Sequence, residues 1–161
     1  MGENVNLVEI LKEDHTFFRS RFQQLQTLAR TSEMTDNTAL VLALVKDLRK
    51  RHQIHLRRET EVLIPGLVEA YRKQKIKTTD SFLLLHLQEE HLTVGRSVYL
   101  LEHELASKPP SLSWIQKLDK LVAVYLPHME HEEKGLFPES EKNLTPQQLK
   151  KMAHVPVSED Q

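Results

Sequence analysis

Cysteine is absent from this chain of 161 residues, which removes disulfides, thiolate zinc sites, thiolate-held iron–sulfur clusters and every cysteine nucleophile. Any metal must therefore sit on nitrogen and oxygen. Glycine is scarce, with only Gly2, Gly66, Gly95 and Gly135, and their spacing allows no Walker A loop, G-x-G-x-x-G fingerprint or G-x-S-x-G elbow. That argues against nucleotide-dependent chemistry. No apolar run approaches the roughly 20 residues that cross a bilayer. The amino terminus, MGENVNLVEILKED, is acidic and polar where a secretory signal is basic and then apolar, so a soluble cytoplasmic protein is expected. With 22 Lys+Arg against 23 Asp+Glu and a net charge of -1, nothing draws the chain generally to nucleic acid or to an anionic membrane. What is present is 39% hydrophobic residues, enough for one core in one domain, and nine histidines.

Apolar residues recur at three- and four-residue steps and leucine outnumbers the β-branched types in the long segments, which favours helix nearly everywhere. Asn6 with Glu9 reads as a capping box, opening a first helix that ends near Ala29 with a stripe of Leu7, Leu11, Phe18, Phe22 and Leu25. After the loop TSEMTDNT, a second helix starts around Asp36 or Asn37 and carries Val41, Leu44, Leu48 and Val62. Pro65-Gly66 kinks or ends it, with a further helical stretch through Tyr71. A third helix runs from about Asp80 to Ser107 with Leu84, Leu87, Val94, Val98 and Leu105, stopped by Pro109-Pro110. A fourth opens near Ser111 or Ser113 and carries Trp114, Leu118, Leu121, Val124 and Tyr125 to about Gly135. Thr145-Pro-Gln-Gln148 caps a short last helix to about Ala153, and the residues beyond His154 read as a frayed tail. The expected fold is all-α: an antiparallel up-down four-helix bundle over residues 6–140, with a short C-terminal fifth helix and tail over 141–161.

The two halves repeat. His55-Leu-Arg-Arg-Glu59-Thr-Glu-Val-Leu-Ile-Pro65 and His128-Met-Glu-His-Glu132-Glu-Lys-Gly-Leu-Phe-Pro138 share His, Glu four on, an apolar pair and then Pro. Upstream, Glu13-Asp14-His15 precedes the first and Glu89-Glu90-His91 the second. Each half is thus a helical hairpin offering one histidine from its first helix and His-x3-Glu from its second. Residues four apart lie about 40° apart around a helix and roughly 6 Å along it, so an imidazole and a carboxylate can reach one ion. All six side chains fall on apolar stripes, where unpaired carboxylates cost several kcal/mol or titrate to neutrality. A pair of cations compensates them. The nitrogen and oxygen set leans toward iron or manganese over calcium, and zinc accepts it as well.

With these motifs the chain resembles the hemerythrin-like, or HHE cation-binding, family over about residues 6 to 140. The resemblance implies a helical bundle holding two irons. His15, His55, Glu59, His91, His128 and Glu132 are then the ligands, Glu59 and Glu132 bridge the metals, and an oxo or hydroxo group completes the bridge. Two features differ from the oxygen-transporting hemerythrins. Gly95 stands four after His91 where those proteins carry a second histidine, and Glu132 stands four after His128 where they place an aspartate five after. This chain therefore resembles a symmetric branch with four histidines and two glutamates, one nitrogen ligand fewer and more room for exogenous ligands.

Other residues carry plainer readings. Glu61 and Glu133 are the substitutes if one glutamate is misassigned. His52 and His131 read as neighbours of the site or as exposed, and His86, His103 and His154 as surface residues. Tyr125 reads first as core packing and second as a donor to a metal-bound ligand; Trp114 is a core anchor. The basic runs at Arg49 and Arg72 are solvated helix faces. The expected function is a non-enzymatic diiron protein that binds dioxygen or a related small ligand, or senses iron or redox state. The alternatives are a diiron enzyme acting on peroxide, nitric oxide or dioxygen, and an iron store or regulatory module.

Overall fold

The computed structural model describes residues 5–31, 36–75 and 81–157, the last stretch without the side chains of 81–85. Every regular element among the described residues is helical. Helix α1 (Leu7–Ala29) begins where Asn6 and Glu9 bond each other's backbone amides, the reciprocal cap read from the sequence. Helix α2 (Thr38–Arg57) follows Asn37, passes into a π-helical turn over Arg58–Leu63 and continues as α3 (Ile64–Gln74), which stops at Lys75 in the left-handed conformation. Helix α4 covers Ser81–Ser107. Helix α5 (Leu112–His131), capped by the Ser111 hydroxyl on the Trp114 amide, passes through a second π-helical turn (Glu132–Leu136) into α6 (Phe137–Asn143). Helix α7 (Pro146–Ala153) carries the Thr145–Gln148 capping box. The expected helix start at Asp80 and the loop positions 32–35 lie outside the described residues, and the core position Leu84 outside the described side chains.

Pro65 does not end the second rod, and the fourth runs past the expected end at Gly135, through Pro138, to Asn143. A proline inside a helix lacks an amide and crowds the carbonyl four residues back. Ahead of each one the helix widens: the Ile64 amide bonds the Glu59 carbonyl and the Phe137 amide bonds the Glu132 carbonyl, five residues back. Pro65 and Pro138 then fall early in α3 and α6, where a missing amide is tolerated.

Helix α1 packs on α2, α2 on α4, α4 on α5 and α5 on α1, so the four close into a ring with α1 opposite α4 and α2 opposite α5. Neighbours run antiparallel. Along α1, Lys12, Arg19 and Gln26 meet Glu141, Glu133 and Asp119 in descending order, and Arg49 meets Glu102 while Glu59 meets His91. This is the antiparallel bundle with a short C-terminal helix.

Two apolar clusters fill it. One holds Phe18, Phe22, Leu48, Val98, Trp114 and Leu118, with the Trp114 indole donating to the Leu101 carbonyl at 3.0 Å. The other holds Leu7, Leu11, Leu63, Leu67, Phe137 and Leu149, the last from α7. Gly66 lets α7 approach closely, since a Cβ there would stand 2.1 Å from the methyl of Met152. Two sequence expectations are corrected. Val124 is exposed, and Val122, three before Tyr125 and nearer its face, is buried in its place. Within the supposed tail, Val157 packs against the second cluster.

Candidate metal centre

Between the two apolar clusters, the four long rods place a layer of buried polar side chains: His15 from α1, His55 and Glu59 from the α2 rod, His91 from α4, and His128 and Glu132 from the α5 rod. All six predicted positions converge. Glu132 Oε2 lies 3.0 Å from His15 Nε2 and 3.9 Å from His55 Nε2, while its Oε1 lies 2.9 Å from His128 Nε2 and 3.1 Å from His91 Nε2. Glu59 spans the layer in the same way, with Oε1 3.4 Å from His55 Nε2 and Oε2 3.1 Å from His91 Nε2. Two potential ligand groups result, His15–His55–Glu59–Glu132 and His91–His128–Glu132, sharing Glu132. Each glutamate begins a π-helical turn or sits within one. Such turns break the regular azimuth of a helix, and they recur at functional sites.

The donor set fits a cation. His15 Nε2, both oxygens of Glu59 and Glu132 Oε2 are buried and have no hydrogen-bond partner among the described residues, although they face one another. Buried polar atoms left so are rare without a ligand or ion to satisfy them. Burial pushes the Glu132 carboxyl up, but contacts with His128, His15, His55 and His91 hold it well below the ordinary carboxylate value. Glu59 is likewise lowered, against burial and the charge of Glu132, by His55 and His91. The histidines answer in kind. Burial works to lower them, yet Glu132 and Glu59 raise His91 to about 9, and carboxylates raise His55 and His128 too. The layer thus gathers positive charge around two buried carboxylates, and where no metal supplies it, protons do.

Outer carboxylates orient the imidazoles. His55 Nδ1 donates to Asp14 Oδ2 at 3.2 Å, His128 Nδ1 to Glu90 Oε2 at 2.8 Å, and His15 Nδ1 to Glu133 Oε1 at 2.8 Å. An ionised carboxylate only accepts, so each contact keeps a proton on Nδ1 and turns Nε2 inward as the atom that would meet a cation. Arg51 holds Asp14 at 2.6 Å, and Arg19 grips both oxygens of Glu133 at 2.8 and 2.9 Å. Burial raises the carboxyl groups of Asp14 and Glu133, but the histidine and arginine partners bring both below their usual values. Asp14 and Glu90, each the residue before a predicted ligand, serve the histidine of the next helix in their own hairpin. Their position in the doubled Glu-[Asp/Glu]-His element is the signal that marks them.

The repeat is not perfect. The counterpart of Glu133 is Thr60, and His91 Nδ1 is buried without a partner among the described residues. Three residues before His55 and His128 stand His52 and Tyr125, which meet across the bundle with His52 Nδ1 2.6 Å from the Tyr125 hydroxyl. His52 is therefore buried, not exposed, and burial beside His55, His91 and His128 holds its pKa down to about 3. Tyr125 packs against Phe18 and Phe22 as expected and adds this hydrogen bond. Glu61 is exposed, and Glu133 takes the outer nitrogen of His15. His86 and His131 are exposed, and both contact Glu90 Oε1, at 3.1 and 3.0 Å; His103 and His154 are exposed. A surface cleft of about 370 Å³ between α2 and α4, lined by Leu56, Arg57, Thr60, Gln88, His91 and Leu92, reaches His91 from outside. Among the described residues, no helix is long and apolar enough to cross a membrane.

A comparison with protein families matches residues 6–140 to the hemerythrin HHE cation-binding domain. No curated protein and no solved structure matches the chain.

Proposed function

The chain belongs to the hemerythrin HHE cation-binding domain family, and from that premise we propose that it is a non-haem diiron protein that binds dioxygen or a related small ligand, or senses iron or redox state through it. The observation that supports this most is the pair of ligand groups sharing Glu132, with both oxygens of Glu59 and Oε2 of Glu132 buried and without a hydrogen-bond partner among the described residues. His15, His55, Glu59, His91, His128 and Glu132 would hold the two ions, with Glu59 and Glu132 spanning them, and zinc or manganese could substitute. The bundle over 6–140 would carry the function, with the short C-terminal helix of 141–161 packed against it. Iron held there would supply redox chemistry and bind small exogenous ligands.

The protein's own groups do the rest. Asp14, Glu90 and Glu133 keep three imidazoles in the metal-binding tautomer. The two apolar clusters exclude water from both ends of the layer. Burial keeps the Tyr125 phenol protonated, its pKa raised well above the usual value, with the charges of Glu132 and Glu59 adding to the effect.

Metal analysis and absorption spectra of protein purified without added metal test the centre, with two irons per chain expected. Anaerobic reduction followed by oxygen addition then tests ligand binding. An iron-replete sample with an unchanged visible spectrum would count against it. A second reading, an enzyme acting on peroxide, nitric oxide or dioxygen, is favoured by Gly95, which leaves room beside His91. Catalytic consumption of peroxide or nitric oxide would establish that reading, and stoichiometric consumption the first.

A further inference from the structure

His52 is buried at 3% exposure, yet its Nε2 has no hydrogen-bond partner among the described residues. Its surroundings say where that atom is aimed. A Cβ built on Gly95 would find His52 Nε2 at 3.7 Å and nothing else within 4 Å among the described residues, apart from its two chain neighbours and the adjoining backbone of its own helix. Gly95 lies one turn beyond His91 on α4, so Nε2 faces the space beside that histidine. The edge of Phe18 closes another side of the ring.

The hydrogen bond to Tyr125 fixes what Nε2 carries. Neutral imidazole has one ring proton. If it sat on Nδ1, the phenol would accept, and both the phenol proton and the Nε2 lone pair would be buried without partners. If the phenol donates to Nδ1, the proton sits on Nε2 and a single orphaned donor remains. The second arrangement leaves fewer polar groups unsatisfied. It also sets His52 apart from His15, His55 and His128, whose Nδ1 atoms face outer carboxylates and whose Nε2 atoms face the inner glutamates where a cation would sit. His52 is built to donate where those three are built to ligate.

We propose that His52 Nε2–H, set by Tyr125 and facing the space at Gly95, is the hydrogen-bond donor for a small exogenous ligand with an acceptor atom, such as dioxygen or a pseudohalide anion, bound at the metal centre beside His91. The proposal rests on the ligand-binding reading above and identifies the side of the centre at which that ligand sits. His52 is a binding residue and not a seventh protein ligand.

Azide is the probe, titrated into the iron-loaded full chain and followed by its charge-transfer band, with iron content measured alongside. Loss of one buried hydrogen bond of about 1.4 kcal/mol corresponds to about tenfold in affinity. His52→Leu should therefore retain its iron and bind azide about tenfold more weakly. His52→Gln, which restores an amide donor, should recover part of the loss, and Tyr125→Phe should weaken binding less than His52→Leu. Unchanged azide affinity in iron-replete His52→Leu overturns the proposal, as does loss of iron in that variant, which would make His52 a ligand. A wild-type centre holding two irons but blind to azide would overturn the ligand-binding reading itself. Nitrogen-15 spectra of the metal-free full chain test the donor separately: a proton on Nε2 of His52 is expected, and a proton on Nδ1 would refute it whatever the azide titration shows.

Discussion

Glu132 faces all four inner imidazoles, so its removal strips both ligand groups at once. Metal analysis of Glu132→Ala and of His55→Ala should show a sharp fall in bound metal, while His86→Ala, altered on an exposed ring, should stay near wild type; equal retention in all three would dissolve the site. One shell out, Asp14→Asn replaces an obligate acceptor by a group that can also donate, so His55 is no longer held in one tautomer. Metal affinity measured by chelator competition should drop about 10- to 100-fold. The six inner residues were legible in the sequence because the repeat sets them at matching positions on apolar stripes. The burial of His52 and its bond to Tyr125 were not. Hydropathy tells which face of a helix turns inward, but not which residue of the opposite helix it meets, and α2 and α5 meet only across the diagonal.

At the level of elements, the caps at Asn6 and Thr145 were readable because a cap is a local bond between near neighbours, and Ser111 was one of two serines offered for the start of α5. The π-helical turns were not, since their only mark is a one-residue slip in the apolar pattern, which runs as short as Val62 to Tyr71 do not resolve. Pro65 was read as a kink or an end with helix resuming beyond it, and it and Pro138 each sit just beyond a turn that absorbs the missing amide. Pro65→Ala restores an amide and removes the crowding, so an ordinary α-helical path through 58–64 becomes available. A change of one residue in register rotates the downstream helix by about 100°, and Glu59 and Leu63 can no longer both keep their places. The variant should keep its helical circular dichroism and lose bound metal several-fold. Retention of full metal content would show that the turn does not position Glu59.

For the whole molecule, the buried layer links stability to metal and to pH. Binding only to the folded chain stabilises it, by about 2.7 kcal/mol at a free metal concentration a hundredfold above Kd, so chelation should lower the melting temperature. In the metal-free protein, His91 is raised from its ordinary 6.5 to about 9. Its contribution is whole below pH 6.5 and disappears as pH rises toward 9. Glu59 and Glu132 are lowered, so theirs is present above about pH 4.5 and lost on acidification. Thermal melts of metal-free protein should therefore be most stable between those limits and weaken on the alkaline side. The metal-loaded protein should show no such alkaline loss, because a coordinated Nε2 holds metal in place of the proton that the metal-free layer gives up. The layer has a further consequence for cooperativity. It cuts across all four rods between two cores that do not share a side chain, so without metal each core can open without the other. Amide hydrogen exchange of the metal-free chain should show two protection classes, one for each end of the bundle, that merge into a single cooperative unit when metal joins them.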